Sequence, residues 1–368
     1  MSPVASGEAL RERLVPWYRA NARDLPWRRD PSPYHILLSE LMCQQTRIDT
    51  AVPYFNRFTV RWPTIEAFAA ASPDDVLTMW AGLGYYRRAR LLHAAAVAAV
   101  ARGGLPADPD ALAELPGIGA YTAGAIASIA FGVPAAAVDG NVERVISRVD
   151  RLDADPRSKG GKQVLRVRAQ AIHAPGVASE VTQGLMELGA TVCTPRAPRC
   201  EVCPWADVCL ARPAGDVTAY PRLPARKAAV AVRAVAGILR RDGRVLCGRR
   251  PEGLLGGLWE PVGAEIGPEE DAQAALRQAF AARAGMMAHV GPLRGQIVHV
   301  FTHRRLTVEV YEVSAEEAVG FVGDGTYTEL AWLAADGDGV GWSKLAQKIL
   351  AVAPVTGGHV GDTPPAAG

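Results

Sequence analysis

The sequence predicts a two-domain chain, an all-α module over residues 1–211 followed by an α+β domain over residues 228–354, and three observations carry the division. Up to and through a cluster of cysteines the chain reads as consecutive short helices with polar or Pro/Gly punctuation, with no alternating strand pattern between them. Residues 212–227 contain Pro213, Pro221 and Pro224, a spacing that suits a stiff extended linker. Beyond it, β-branched alternating runs replace the helical periodicity. A chain of 368 residues with 49% hydrophobic content can build a core in each part.

In the first domain helices are expected over Glu8–Asn21, Tyr34–Thr46, Val52–Phe58, Pro73–Ala81 and Arg87–Ala101. The longest uncharged stretch, Leu115–Val138, runs for 24 residues, enough by length to raise the question of a membrane span. It opens on Leu-Pro-Gly-Ile-Gly, consists mostly of small residues and is broken at Pro134, so it reads as a buried helix after a tight turn. Met1–Leu10 has neither a basic start nor an apolar run, and the chain is expected to be soluble and cytoplasmic, with no membrane partner.

In the second domain Ala228–Leu239 and Arg244–Gly248 read as strands joined by an Arg-Asp-Gly turn, Glu269–Ala284 as a helix and Leu306–Val313 as a further strand. The Gly/Pro/Ala-rich residues 355–368 read as a disordered tail. The net charge of +2 advertises no polyanionic partner. Its distribution is uneven: fourteen Lys/Arg stand against seven Asp/Glu between Arg222 and Arg305, and two against nine from Leu306 onward. Such counts fit an ordinary solvated face as well as a phosphate-facing one until other features decide.

Cys193, Cys200, Cys203 and Cys209 form a C-x6-C-x2-C-x5-C pattern, with Cys43 and Cys247 isolated elsewhere. Four thiols within 17 residues point to a metal or cluster. Two disulfides would be at odds with a reducing compartment. Tetrahedral zinc is the stronger rival, although structural zinc commonly uses two short Cys pairs and only Cys200/Cys203 qualifies.

Leu115-Pro-Gly-Ile-Gly119 joins two helical stretches, and Gly117 and Gly119 allow successive N–H groups to face one side, where they could hold a phosphate or simply pack the turn. Asp139 follows in AAAVDGNVERV, either as a helix cap or as a carboxylate able to stabilise positive charge on a sugar. In the segment LLSELMCQQT, Glu40 and Gln44 are spaced four apart amid Leu37, Leu38, Leu41 and Met42. A desolvated Glu40 would have the raised pKa that a general acid near neutral pH needs; an exposed one would be an ordinary surface carboxylate.

The cysteine spacing, the stretch LPGIGAYTAGAIASIAFG and the following Asp139 together resemble the endonuclease III superfamily of DNA glycosylases. LLSELMCQQT, Leu25-Pro-Trp27-Arg28, Gly82-Leu-Gly-Tyr-Tyr86 and Gln183 narrow the resemblance to the adenine DNA glycosylases of the MutY family, from about Arg11 to Cys209. The resemblance implies a helix-hairpin-helix glycosylase module whose four cysteines hold a 4Fe-4S cluster, with Arg196 and Arg199 beside it. It implies that Glu40 protonates a flipped adenine, Asp139 stabilises the sugar cation, and Trp27, Arg28 and Gln183 line the base pocket. It also implies that Gln45 and Tyr85 enter the duplex, and that Gln44, Leu115, Gly117, Gly119, Tyr121 and Asn141 belong to the DNA-facing surface. Bifunctional relatives carry a Lys two residues after the hairpin's last Gly; Tyr121 stands there and cannot form an imine. The implied partner is double-stranded DNA bearing 8-oxoguanine:A or G:A, engaged by a monomer.

In the same family the C-terminal domain resembles a Nudix fold and senses 8-oxoguanine. Nudix hydrolases need several glutamates on one helix to hold magnesium. No Asp or Glu occurs between Asp271 and Glu309, so pyrophosphohydrolysis is not expected. Phe301-Thr302-His303 resembles a motif that usually reads Phe-Ser-His, and Gly253-Leu-Leu-Gly-Gly-Leu-Trp259 departs from the usual form at Leu255. Thr302 keeps a hydroxyl for the lesion, and the basic excess of residues 222–305 then reads as a phosphate-facing surface.

Overall fold

A computed structural model describes residues 4–224, 229–251, 255–301, 303–316, 324–334 and 340–352. The chain divides into two compact units, Met1–Arg226 and Lys227–Gly368. The first contains α1 (Gly7–Asn21), α2 (Pro26–Arg29), α3 (Pro33–Cys43), α4 (Ile48–Arg61), α5 (Ile65–Ala69), α6 (Pro73–Trp80), α7 (Arg87–Ala101), α8 (Pro109–Ala113), α9 (Ala120–Phe131), α10 (Gly140–Val149), α11 (Lys159–Ile172) and α12 (Ala178–Thr191). Their starts are written in the sequence: Ser32, Ser72 and Asp108 each cap a helix whose first residue is Pro, and Ser6, Thr64 and Ser158 cap α1, α5 and α11.

The expected helix to Thr46 stops at Cys43, so Gln44 is a cap residue with ψ 116° and does not lie one turn above Glu40 on the same helix. The cause is distant in sequence: the carbonyls of Leu41, Met42 and Gln44 accept hydrogen bonds from the Arg88 guanidinium. The uncharged stretch becomes α9, packed so tightly that a Cβ on Gly124 would lie 2.4 Å from the Ala136 carbonyl oxygen. No helix among the described residues is long and apolar enough to cross a membrane.

Leu10 and Leu14 of α1, Val145 and Ile146 of α10, and Leu185 and Leu188 of α12 share one core with Trp205 of the cysteine loop. The expected extended linker is folded in its first part. Residues 212–215 form turns and Val217–Ala219 a short 3-10 segment, whereas residues 222–224 are exposed without regular structure. Tyr220 is buried, and its carbonyl accepts from Arg148. Proline rigidity is satisfied by turns as readily as by an extended spacer.

The second unit is a mixed sheet of β1 (Val230–Arg241), β2 (Arg244–Arg249), β3 (Trp259–Pro261), β4 (Gly263–Ile266), β5 (Ala288–Val300), β6 (Arg304–Ala315) and β7 (Glu329–Leu333) with α13 (Ala272–Ala284) and α14 (Lys344–Val352). β1 runs parallel to β6, and β5 is antiparallel to β6. Val235 and Leu239 of β1 cluster with Leu276 and Phe280 of α13, while Ala236 and Ile238, facing the other way, cluster with Leu345 and Ile349 of α14. Helix α13 carries no Asp or Glu along its length; Arg283 in its last turn pairs with Asp324 and sits over the Tyr327 ring.

Candidate active site and cysteine loop

Glu40 lies on the last turn of α3, against the start of α9. Its Oε2 accepts a hydrogen bond of 2.5 Å from the Tyr121 hydroxyl, and the Gln44 amide reaches the Thr122 hydroxyl at 3.4 Å. Burial pushes the Glu40 carboxyl up to about 7; Tyr121 opposes the shift, and the negative charge of Asp139 adds to it. Tyr121 is itself raised well above its ordinary value, by burial first and then by Glu40 and Asp139. Glu40 is thus a protonatable carboxyl near neutral pH, coupled to a second carboxylate.

Asp139 caps α10, accepting from the backbone N–H of Asn141 at 2.9 Å and of Val142 at 2.8 Å. The Asn141 amide donates to its other oxygen at 2.8 Å. Asn141 in turn accepts from Arg144, which donates to the Gly189 and Cys193 carbonyls. A Cβ on Gly189 would lie 2.5 Å from the Asn141 Cβ, so this crossing of α10 and α12 requires a glycine.

The hairpin turns outward at its glycines. Gly117, with φ +74°, and Gly119 are exposed, whereas Leu115 and Ile118 anchor the turn in the core. Leu115 is only 2% exposed, so what it could offer a phosphate is backbone and not side chain. Gln45 and Tyr85 both project from left-handed backbone, with φ 57° and 51°, and both are exposed.

Of the residues expected around a flipped base, Trp27 is buried edge-on against Phe55. Arg28 is turned onto Glu187, a residue the motifs did not single out. Glu187 is fully buried between Leu185 and Leu188 and accepts from Arg28 at 2.8 Å and from Arg23 at 2.6 and 2.9 Å. Its position one helical turn after Gln183, a charge among leucines, was the available signal. The Cys43 thiol is pushed up to about 12 by burial, with Glu40 adding to the shift and Arg88 and Arg23 opposing it. Gln183 donates to Ser179.

After α12 the cysteine loop closes on α10. Arg148, 2% exposed, donates to the carbonyls of Thr194, Pro195 and Tyr220 and lies 3.4 Å from the Cys193 sulfur. Trp205 donates to the Leu10 carbonyl. The four thiols line one cavity, walled by Val145, Val149, Leu188 and Trp205, and no three of them are placed to share one metal ion. An all-thiol set spread around an apolar cavity with an Arg N–H beside one sulfur suits a group larger than a single ion. Arg196 and Arg199 are exposed on this loop.

Residues 38–170 match the HhH-GPD superfamily of base excision DNA repair proteins, 193–209 the iron–sulfur binding domain of endonuclease III, and 234–352 the NUDIX domain. Adenine DNA glycosylase of Homo sapiens is 36% identical over 85% of this chain and 68% of its own length. The chain belongs to the adenine DNA glycosylase family. The relative of that name from Mycolicibacterium smegmatis is 44% identical over 52% of this chain and 66% of its own. Among solved structures, a thermostable thymine-DNA glycosylase matches 56% of this chain and 97% of its own at 26% identity, with a TM-score of 0.52.

The glycosylase is thus an N-glycosyl hydrolase of base excision repair that acts on adenine and holds a 4Fe-4S cluster. Cys193, Cys200, Cys203 and Cys209 are the residues that would hold it, and when bound it would cross-link the loop that Arg148 of α10 holds through the Thr194 and Pro195 carbonyls. Substituting Cys203→Ser should lower the cluster's visible absorbance and the thermal midpoint together, because the loop contributes Trp205 to the core. Full iron loading and an unchanged midpoint would remove Cys203 from the ligand set. His303 is exposed, and Thr302, Gly253 and Leu254 lie outside the described residues, as do residues 355–368.

Proposed function

We propose that the glycosylase is monofunctional and removes adenine mispaired with 8-oxoguanine, or with guanine, acting as a monomer on cytoplasmic DNA. The observation that carries the reading is the pair Glu40 and Tyr121: a carboxyl held near neutrality, hydrogen-bonded by a phenol at the position where lyase relatives keep an amine. Glu40 protonates the extruded adenine and afterwards activates water, and Asp139 stabilises the oxocarbenium-like sugar. Arg28 and Gln183, joined by Glu187, form the polar wall of the base pocket, and Trp27 forms its floor. Gln45 and Tyr85 fill the gap in the duplex, offsetting part of the few kcal/mol lost in unstacking. The exposed hairpin N–H groups around Gly117 and Gly119 hold a backbone phosphate. The second unit reads the opposing 8-oxoguanine through Thr302 and His303.

Multiple-turnover release of adenine from 8-oxoguanine:A, with none from 8-oxoguanine:C and no borohydride-trapped DNA adduct, is the expected outcome. A trapped adduct would refute monofunctional chemistry. Equal rates on 8-oxoguanine:A and G:A, unchanged in His303→Ala, would remove the sensing role.

A further inference from the structure

The buried Arg88 belongs to no motif, yet it is bonded to both loops that carry the exposed residues Gln45 and Tyr85. It stands in the first turn of α7 and its guanidinium points back beneath the two loops. Nη1 donates to the carbonyls of Leu41 at 2.9 Å, Met42 at 2.8 Å and Gln44. Nη2 donates to the Thr46 hydroxyl at 2.9 Å and to the carbonyls of Gly84 at 3.1 Å and Leu83 at 3.5 Å. One planar group therefore bonds the residues on both sides of Gln45 and the two residues before Tyr85.

Among the described residues no carboxylate forms an ion pair with it; its charge faces carbonyl dipoles and the rings of Tyr85 and Trp80, at 5.2 and 5.3 Å. Gln45 and Tyr85 are also non-glycine residues in left-handed backbone, a conformation that persists only where the surroundings hold it. Helix α3 ends at Cys43 because Arg88 takes up the carbonyls there, and that ending turns Gln45 outward. A single amine, with three donors, could not do this: six acceptors are shared between the two nitrogens of a fixed fork, Nη1 on the Gln45 loop and Nη2 on both loops.

We propose that Arg88 is the positioning residue that sets Gln45 and Tyr85 as one unit for entry into the duplex, an inference that rests on the duplex-entering role proposed above for those two residues. Arg88 touches neither base nor sugar; it acts through the loops. Its removal should weaken discrimination of the lesion duplex much more than the chemical step.

The test uses the full-length, cluster-loaded protein and a duplex with 8-oxoguanine opposite 2′-fluoro-2′-deoxyadenosine, whose fluorine slows glycosidic cleavage. The readout is the ratio of its dissociation constant to that of the undamaged duplex. Arg88→Lys keeps the charge but has one nitrogen in place of the fork, and it should lower this preference at least tenfold while single-turnover excision at saturating enzyme falls far less. Thr46→Val, which removes one acceptor and preserves shape, should lower it about threefold with an unchanged melting temperature, so the idea survives a Lys variant that folds poorly. In a Gln45→Ala/Tyr85→Ala background, Arg88→Lys should cost less than a further twofold. Full, additive loss in that background, or an unchanged preference in Thr46→Val together with a folded Arg88→Lys, overturns the proposal. An unchanged preference in Gln45→Ala/Tyr85→Ala itself instead overturns the duplex-entering role on which it rests.

Discussion

Glu40→Gln should abolish adenine excision, by about 10²–10⁴-fold, the range a positioned general acid supplies, while lesion-duplex affinity stays within a few fold. In the native enzyme the rate should fall as pH rises past about 7, because the carboxyl must be protonated to act and burial holds its pKa there. The same group affects stability. Its folded pKa lies above the ordinary 4.5, so the native state binds the extra proton; the stabilisation is full below 4.5 and is lost as pH rises toward about 7. The loss amounts to at most about 3.5 kcal/mol, from roughly 1.4 kcal/mol per pH unit over the rise from 4.5 to about 7. Gln carries no charge to desolvate and still accepts from Tyr121. The inactive variant should therefore melt higher than the native enzyme at pH 8 and nearly level with it at pH 4.5. A variant that retains turnover, or one that melts lower at pH 8, contradicts the assignment of Glu40 as a desolvated acid.

Features held by local spacing could be read from the sequence alone. The cysteine loop, the Pro-started helices and the Gly117–Gly119 turn each lie within a few residues whose chemistry has few alternatives. What could not be read depends on partners far away in the chain. Nothing near Cys43 says that α3 must stop, because the stopping group, Arg88, lies more than forty positions on. Glu187 looks like a surface charge until Arg23 and Arg28, more than 150 positions earlier, are seen on it. In the second unit β5 escaped notice because Gly291, Pro292 and Gly295 break its alternation, and the register with β6 shifts at those places. The fold-back that ends at Tyr220 was hidden for the same reason: Tyr220 is buried with its carbonyl on Arg148, more than seventy positions earlier.

Asp139→Asn should cost about 10²–10³-fold in excision, the scale of removing one preorganised electrostatic group from a reacting centre. Asn is as good a helix cap as Asp, so on capping alone α10 should be untouched. The hydrogen-bond geometry says otherwise. Both Asp139 oxygens accept, one from two backbone N–H groups and the other from the Asn141 amide. An asparagine in this place keeps its oxygen for the backbone and turns its NH2 toward another NH2, and Asn141 cannot flip because Arg144 holds its oxygen. That donor-to-donor conflict should cost about 1–3 kcal/mol and lower the melting temperature by several degrees. Stability and chemistry can then be separated by a second change, Asn141→Asp, which gives the newly introduced amide an acceptor and leaves Arg144 a carboxylate to bind. The double variant should recover most of the lost melting temperature and none of the lost rate, because the negative charge has moved away from the sugar while the hydrogen bonds have been restored. Recovery of excision along with stability would mean that Asp139 serves only to cap α10, and the sugar cation would need another counter-charge.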